Sequence, residues 1–311
     1  MNRDNSKALV IFLGTFNGER FLSEQLDSFW NQTYENWRLV ASDDGSTDQT
    51  RAILHQYQQA WGPEKLCTVA GPGLGFCENF LSMVCQSQAR ADLYAYSDQD
   101  DIWEAFKLDR AVEWFASVPV SVPALFLTRT RLIDEFGRAL GLSPLFVRPP
   151  SFQNALVQSL GGGNTMVFNQ AARELLKTAG PTPNVFAHDW WTYLLVTAAG
   201  GRVFFDPVPS VLYRQHQRNI MGMNVGLHAQ FRRLKLLFGG KAKDWIRRNL
   251  AALQRNSNLI MEPQLKTLFF FSEALNKGIF ARLAGFFRSG VYRQTRVAHF
   301  ALLIAIILKR V

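Results

Sequence analysis

Three short polar clusters carry the residues whose types and spacing could do chemistry. They are Gly14-Thr15-Phe16-Asn17-Gly18-Glu19, Asp43-Asp44-Gly45-Ser46-Thr47-Asp48 and Asp98-Gln99-Asp100-Asp101. Each directly follows an apolar run of strand character, Ala8–Leu13, Trp37–Ser42 and Leu93–Ser97. In an open α/β sheet ligands bind outside the carboxyl ends of the strands, so the three clusters are expected at one sheet edge. Carboxylates gathered in one crevice repel one another and raise each other's pKa unless a cation intervenes. Oxygen donors with few His or Cys nearby suit Mg²⁺ or Mn²⁺, which bind through one or two carboxylates and complete their shell with substrate phosphates. The implied ligand is phosphorylated. A ligand with two phosphates would place its charge on the metal and its base near the carboxylates of the second strand, where an Asp can accept a pyrimidine N–H.

Other chemistries fail on spacing. Asp98-Gln99-Asp100 lacks the Gly and the terminal Glu of an EF-hand loop. Gly71-Pro72-Gly73-Leu74-Gly75 is not a G-x-G-x-x-G turn, and its Pro removes an N–H that a phosphate would use, so it reads as a plain loop. The chain has no GxxxxGK[ST], HExxH or GxSxG. Each acidic cluster also has an ordinary structural reading. Ser46-x-x-Gln49 is a capping-box pattern for the following helix, with Asp48 in the same turn. Asp98–Asp101 would complement the dipole of a helix from Trp103 to Phe115, and Asp189 would cap one running to Ala199.

The elements that must position these clusters follow from periodicity. Leu66–Ala70 and Ala124–Thr128 add two further strands. Between strands, Phe21–Phe29, Ile53–Trp61 and Phe76–Val84 repeat apolar residues at helical spacing. Such alternation with short crossovers predicts right-handed βαβ units and a mainly parallel sheet flanked by helices. After Pro119 the pattern loosens: Thr165–Phe168, Arg202–Phe205 and Val211–Arg214 read as strands, with a helix over Asp189–Ala199.

The chain of 311 residues is 48% hydrophobic and 19% charged, which supports a sizeable core and excludes disorder. Cys67, Cys77 and Cys85 lack CxxC spacing and read as reduced, mostly buried thiols. No small-residue cleavage site follows Ala8–Leu13, so a cytoplasmic location is expected. The longest apolar stretch, residues 297–308 with only His299 interrupting, is too short to span a bilayer. The net charge of +9 hides a division: residues 227–311 hold 16 Lys and Arg against 3 acids, whereas residues 1–226 hold 18 against 22. On α-helical spacing, Ile279, Phe280, Leu283 and Phe287 form one apolar face with Lys277, Arg282 and Arg288 beside it. That pattern fits a helix lying on an anionic membrane surface, with a packed helical cap as the ordinary alternative. No nucleic-acid reading motif accompanies the basic residues.

In order and spacing, Thr15–Glu19, Ser42–Asp48 and Ser97-Asp98-Gln99-Asp100-Asp101-Ile102-Trp103 with Lys107-Leu108 resemble the family 2 glycosyltransferases of GT-A fold. His188-Asp189-Trp190-Trp191 and Tyr213-Arg214-Gln215-His216 resemble most the bacterial rhamnosyltransferase branch that builds cell-surface polysaccharide. The resemblance covers roughly residues 8–222. It implies a GT-A catalytic domain over residues 1–225 and a basic helical region over residues 226–311. It further implies that Thr15, Phe16, Asn17, Glu19, Asp44, Asp98 and Gln99 bind a nucleotide sugar, a dTDP- or UDP-sugar. Asp98 and Asp100 would be the DxD pair that holds Mg²⁺ or Mn²⁺, with His216 as a further ligand. Asp189 would be the general base, with His188, Trp190 and Trp191 around the acceptor. One base and no covalent nucleophile imply inversion at the anomeric carbon. The acceptor would be a lipid-linked saccharide, met at the inner face of the plasma membrane. The competing reading keeps the fold without catalysis, as a nucleotide-sugar or polyanion-binding protein.

Overall fold

Strand β1 (Leu9–Thr15) is apolar on both faces because both faces are covered: Leu9, Ile11 and Leu13 enter one core cluster and Val10 and Phe12 the other. A computed structural model describes residues 7–86, 88–216 and 241–311. β1 pairs in parallel with β2 (Trp37–Asp43) and with β4 (Leu93–Ser97), and β2 pairs in parallel with the exposed edge strand β3 (Leu66–Ala70). Helices α1 (Leu22–Trp30), α2 (Thr50–Trp61) and α3 (Phe76–Gln86) make the crossovers. The strand order β3-β2-β1-β4 reverses direction between β1 and β4. That reversal opens a crevice between their carboxyl ends.

Beyond β4 the sheet becomes mixed. β8 (Val167–Asn169) is antiparallel to β4 and to β6 (Ala124–Asp134), while β6 and β9 (Arg202–Gln215) are parallel. β7 (Ala139–Leu142) forms a hairpin with β6. The two strands predicted at 202–205 and 211–214 are one strand whose register shifts opposite Thr128–Thr130, where Pro207 and Pro209 cannot donate to the ladder. The predicted strand at Thr165–Phe168 begins later, because Gly163–Thr165 forms a 3₁₀ turn. The helix expected from Trp103 also starts later: Ile102–Trp103 is the short strand β5, paired with β9, and α4 is Lys107–Phe115. Asp98–Asp101 therefore does not form a helix's first turn.

Helix α5 is the short Phe152–Ala155 segment and α6 is Gln170–Ala179. Helix α7 (His188–Ala198) is buried at every position but Asp189. It lies in the same cluster as Val10 and Phe12 and as Ile246, Leu250, Phe271 and Leu302 of the C-terminal helices. Those helices are α8 (Lys241–Arg255), α9 (Glu262–Leu275), α10 (Ile279–Ser289) and α11 (Arg296–Ile307). The expected boundary at residues 225–226 lies outside the described residues. On its far side, Trp245 stacks on Phe186 at 3.9 Å and Tyr292 accepts a hydrogen bond from Ser151 Oγ at 2.9 Å.

The apolar stripe expected on α10 exists and faces outward, with Phe280 86% and Phe287 69% exposed. Arg282 does not flank it. Its side chain is buried and donates from Nη1 to the Ile306 carbonyl at 2.8 Å, satisfying the end of α11. Cys77 is buried, but Cys67 is exposed on the edge strand, contrary to expectation. Among the described residues no helix is long and apolar enough to cross a membrane.

α9 and α10 approach through Gly285, where a Cβ would stand 2.0 Å from that of Ala274. Gly285→Ala should therefore separate the pair and lower stability by about 1–3 kcal/mol. Chemical denaturation of the purified variant measures this loss.

Candidate active site

The β1 loop is built for a sharp approach. Asn17 takes a left-handed φ of 48°, and Gly18 leaves room that a Cβ would take from Gln99 Oε1, at 2.2 Å. Gln99 uses that space: its Oε1 accepts from Phe16 N at 2.8 Å and its Nε2 donates to Phe16 O at 2.9 Å. The first and third clusters are thus clamped together across the crevice. The first and second are zipped as well. Asn17 N donates to Ser46 Oγ at 2.9 Å, Gly18 N to Thr50 Oγ1 at 2.8 Å, and Gln49 N to Glu19 Oε2 at 2.9 Å.

Several side chains expected to face a ligand are therefore engaged in this framework. Asn17 Oδ1 accepts from Thr47 N at 2.9 Å, and Thr15 Oγ1 donates to Asp43 Oδ1 at 3.1 Å. Phe16 is 56% exposed at the mouth. The capping box does not form: Ser46 bonds Asp43, and Thr50 N donates to Asp48 Oδ1 at 3.0 Å instead. Burial alone would raise the Asp43 carboxyl, but bonds from Ser46, Arg51 and Thr15 outweigh it and hold it below the usual range. Asp44 accepts from Gly73 N at 2.7 Å and from Gly75 N at 2.8 Å. The Gly71–Gly75 loop is thus the socket of that carboxylate.

The third cluster holds the densest negative charge. Burial, then the charges of Asp100 and Asp189, push the Asp98 carboxyl up to about 8. Asp100 Oδ2 lies 2.8 Å from His216 Nε2, so β9 delivers that histidine to the same crevice. Asp101 is fully buried. Burial and the charges of Asp100 and Asp98 raise its carboxyl well above the ordinary range, while bonds from Asn164 and Arg214 N oppose the rise. Among the described residues no group of three or more His, Cys, Asp or Glu closes around a metal position. Asp98, Asp100 and His216 are the carboxylate and imidazole donors gathered at this end of the crevice.

Asp189 reaches this crevice from the other side. It lies in the first turn of α7, and Ala187 holds the cap position. The carboxylate accepts from Trp190 N at 2.5 Å. Burial raises the carboxyl to about 6 even though neighbouring backbone amides lower it. In the Gly161-Gly162-Gly163 run, a Cβ on Gly163 would meet His188 Nε2 at 2.4 Å, so glycine lets the turn pack on that ring.

The three residues assigned to the acceptor site are packed away from it. His188 stacks on Phe80 at 4.1 Å, and burial lowers its pKa to about 3. Trp191 is fully buried, and Trp190 donates from Nε1 to the Ala155 carbonyl at 2.6 Å. None offers a ring face to a sugar. Their apolar packing instead holds the start of α7, and with it Asp189.

Above the ordinary value of 3.8 an unfolded chain gives up the Asp98 proton, while the fold retains it to about 8. Stability therefore falls as pH rises across that window. Asp98→Asn should raise Tm by a few degrees at pH 8 without divalent cation, and the gain should fade toward pH 4. Thermal melts across pH follow this directly.

The model of the family described as glycosyl transferase family 2 matches residues 10–173, more than half of the chain. A dTDP-rhamnosyl transferase, RfbG of Shigella flexneri, is 24% identical over 288 residues, covering 87% of this chain and 90% of that protein. Among solved structures, S. aureus TarS (residues 1–349) in complex with UDP-GlcNAc aligns with a TM-score of 0.55 at 15% identity, covering 92% of this chain and 93% of that one. The mannosyltransferase PcManGT of Pyrobaculum calidifontis, in complex with GDP-Man and Mn²⁺, aligns with a TM-score of 0.53 at 17% identity, over 99% of this chain and 86% of that one. At such identities the structural likeness is one of fold. With the three clusters assembled where β1 and β4 part, the chain belongs to glycosyl transferase family 2 and is a glycosyltransferase of GT-A fold.

Proposed function

We propose that this enzyme is an inverting, metal-dependent transferase that moves a sugar from a nucleotide sugar to a lipid-linked saccharide. The reading is carried by the meeting of Asp98, Asp100 and Asp189 in one crevice, where burial and then the charges of the other two raise the Asp98 carboxyl. The similarity to a dTDP-rhamnosyl transferase along most of both chains favours dTDP-rhamnose as donor. Asp44 suits the base: a carboxylate has about four lone-pair directions, and the two glycine amides occupy two of them. Asp98, Asp100 and His216 would hold Mg²⁺ or Mn²⁺, which supplies charge to offset that of the departing diphosphate.

The chain's own groups then perform the transfer. Asp189, ionised above about pH 6, takes the proton of the acceptor hydroxyl. The acceptor oxygen forms its bond to the anomeric carbon as the opposite bond to the diphosphate breaks, and that electron pair leaves with the nucleotide. Asp189→Asn should lower kcat by about 10²–10⁴ with donor affinity kept. Rate and nucleotide binding measured side by side, with EDTA abolishing both turnover and tight donor binding, test base and metal separately.

The region from residue 226 onward serves, in this reading, to bring the catalytic region to an anionic membrane from the cytoplasmic side without spanning it. Exposed Phe280 and Phe287 supply apolar contact, and the basic excess supplies electrostatic attraction. Replacing both phenylalanines by Ser should weaken co-sedimentation with phosphatidylglycerol vesicles by about tenfold or more. Equal binding of the variant and the parent would refute membrane contact through α10.

A further inference from the structure

Arg214, near the end of β9, carries a permanent charge on a side chain that is only 2% exposed. Its guanidinium reaches three separate pieces of the chain. Nε donates to the Asp100 carbonyl at 3.0 Å, Nη1 to the Glu135 carbonyl between β6 and β7 at 3.3 Å, and Nη2 to Glu24 Oε2 of α1 at 2.7 Å. The backbone adds a fourth tie, Arg214 N donating to Asp101 Oδ1 at 3.0 Å. The guanidinium also lies over the Phe21 ring at 4.5 Å, and the His216 ring packs on that same ring at 5.3 Å. Two residues apart at the end of a strand, both side chains leave on one side and rest on one support.

The Asp98–Asp101 loop needs such an anchor, because its like charges repel one another and push it apart. On the β1 side Gln99 grips both backbone groups of Phe16, and on the β9 side Arg214 grips the carbonyl of the next residue, Asp100. A shift of the Asp100 carbonyl is therefore passed to Gln99 and to its bond with the Phe16 amide. We propose that Arg214 is a positioning residue for the donor side of the site, fixing the Asp98–Asp101 loop between β1 and β9 through the Asp100 carbonyl. This rests on the reading of Asp100 as a group that serves the donor. Small misplacements of such groups are costly in rate. The competing account gives Arg214 a stabilising role alone. A buried ion pair can often be exchanged for an apolar side chain of similar size without loss of stability, and turnover would then survive the exchange.

The test uses the full chain with Arg214→Met, Arg214→Lys and Glu24→Gln. In Arg214→Met the Phe16 amide should lose hydrogen-exchange protection by roughly tenfold or more, and nucleotide release from dTDP-rhamnose should slow roughly 10- to 100-fold. Arg214→Lys keeps the charge and can reach Glu24, but it has no donor where Nε stands, so it should behave as Arg214→Met does. Glu24→Gln removes the ion pair and leaves the Asp100 contact, so its Phe16 exchange and turnover should stay at the parent's level. Parent-level Phe16 protection or parent-level turnover in a folded Arg214→Met would overturn the proposal. So would a Glu24→Gln variant as impaired as Arg214→Met, since the ion pair would then be what matters. Should Arg214→Met fail to fold, the contrast of Arg214→Lys with Glu24→Gln decides by the same two readouts. Wild-type turnover by Asp100→Asn would instead overturn the donor-side assignment on which the proposal rests.

Discussion

Like charge held at close quarters is the constraint around which this molecule is arranged. Asp98, Asp100, Asp101 and Asp189 converge where β1 and β4 separate, and their mutual repulsion together with burial raises the Asp98 and Asp101 carboxyls. A fold gains no stability from such a cluster. It persists because the surrounding apolar layers are large: β1 and β4 are buried on both faces, and α7 is buried along nearly its whole length. Stability generated there supports a site that is electrostatically unfavourable until positive charge enters it.

Rigidity around the site comes from side chains that grip backbone. Gln99 pairs with both polar groups of Phe16, Asp44 collects two glycine amides, and Asn17 holds the Thr47 amide. Each bond ties one strand's loop to the next, so the crevice is preorganised by the same residue types that would otherwise be ascribed to turns. Preorganised dipoles cost no rearrangement when charge develops, which is the condition for electrostatic stabilisation of a departing diphosphate.

The C-terminal helices combine two tasks. Their inner faces complete the cluster that covers α7, and α9 and α10 close together at Gly285. Their outer faces remain apolar and basic, with Phe280, Phe287 and Phe300 exposed. An amphipathic helix pattern therefore served both core and surface, and periodicity alone does not say which face turns inward.

The sequence by itself determined the βαβ architecture of the first hundred residues, because buried parallel strands demand continuous apolar runs and the crossover helices demand a 3.6-residue repeat. It also determined which carboxylates follow those strands, so Asp98 and Asp100 were legible from chain position, whereas Asp189, at the start of a helix, was legible only through the family resemblance. Packing decided the rest. His188, Trp190 and Trp191 adjoin Asp189 in sequence, yet a helix sends consecutive side chains to different sides, and these three point into the core while Asp189 points to the crevice. Asp44 and the Gly71–Gly75 loop, or Asp101 and Asn164, are far apart along the chain and share no local pattern. Only the tertiary fold makes them neighbours, since a hydrogen bond between distant residues depends on the path of every strand between them.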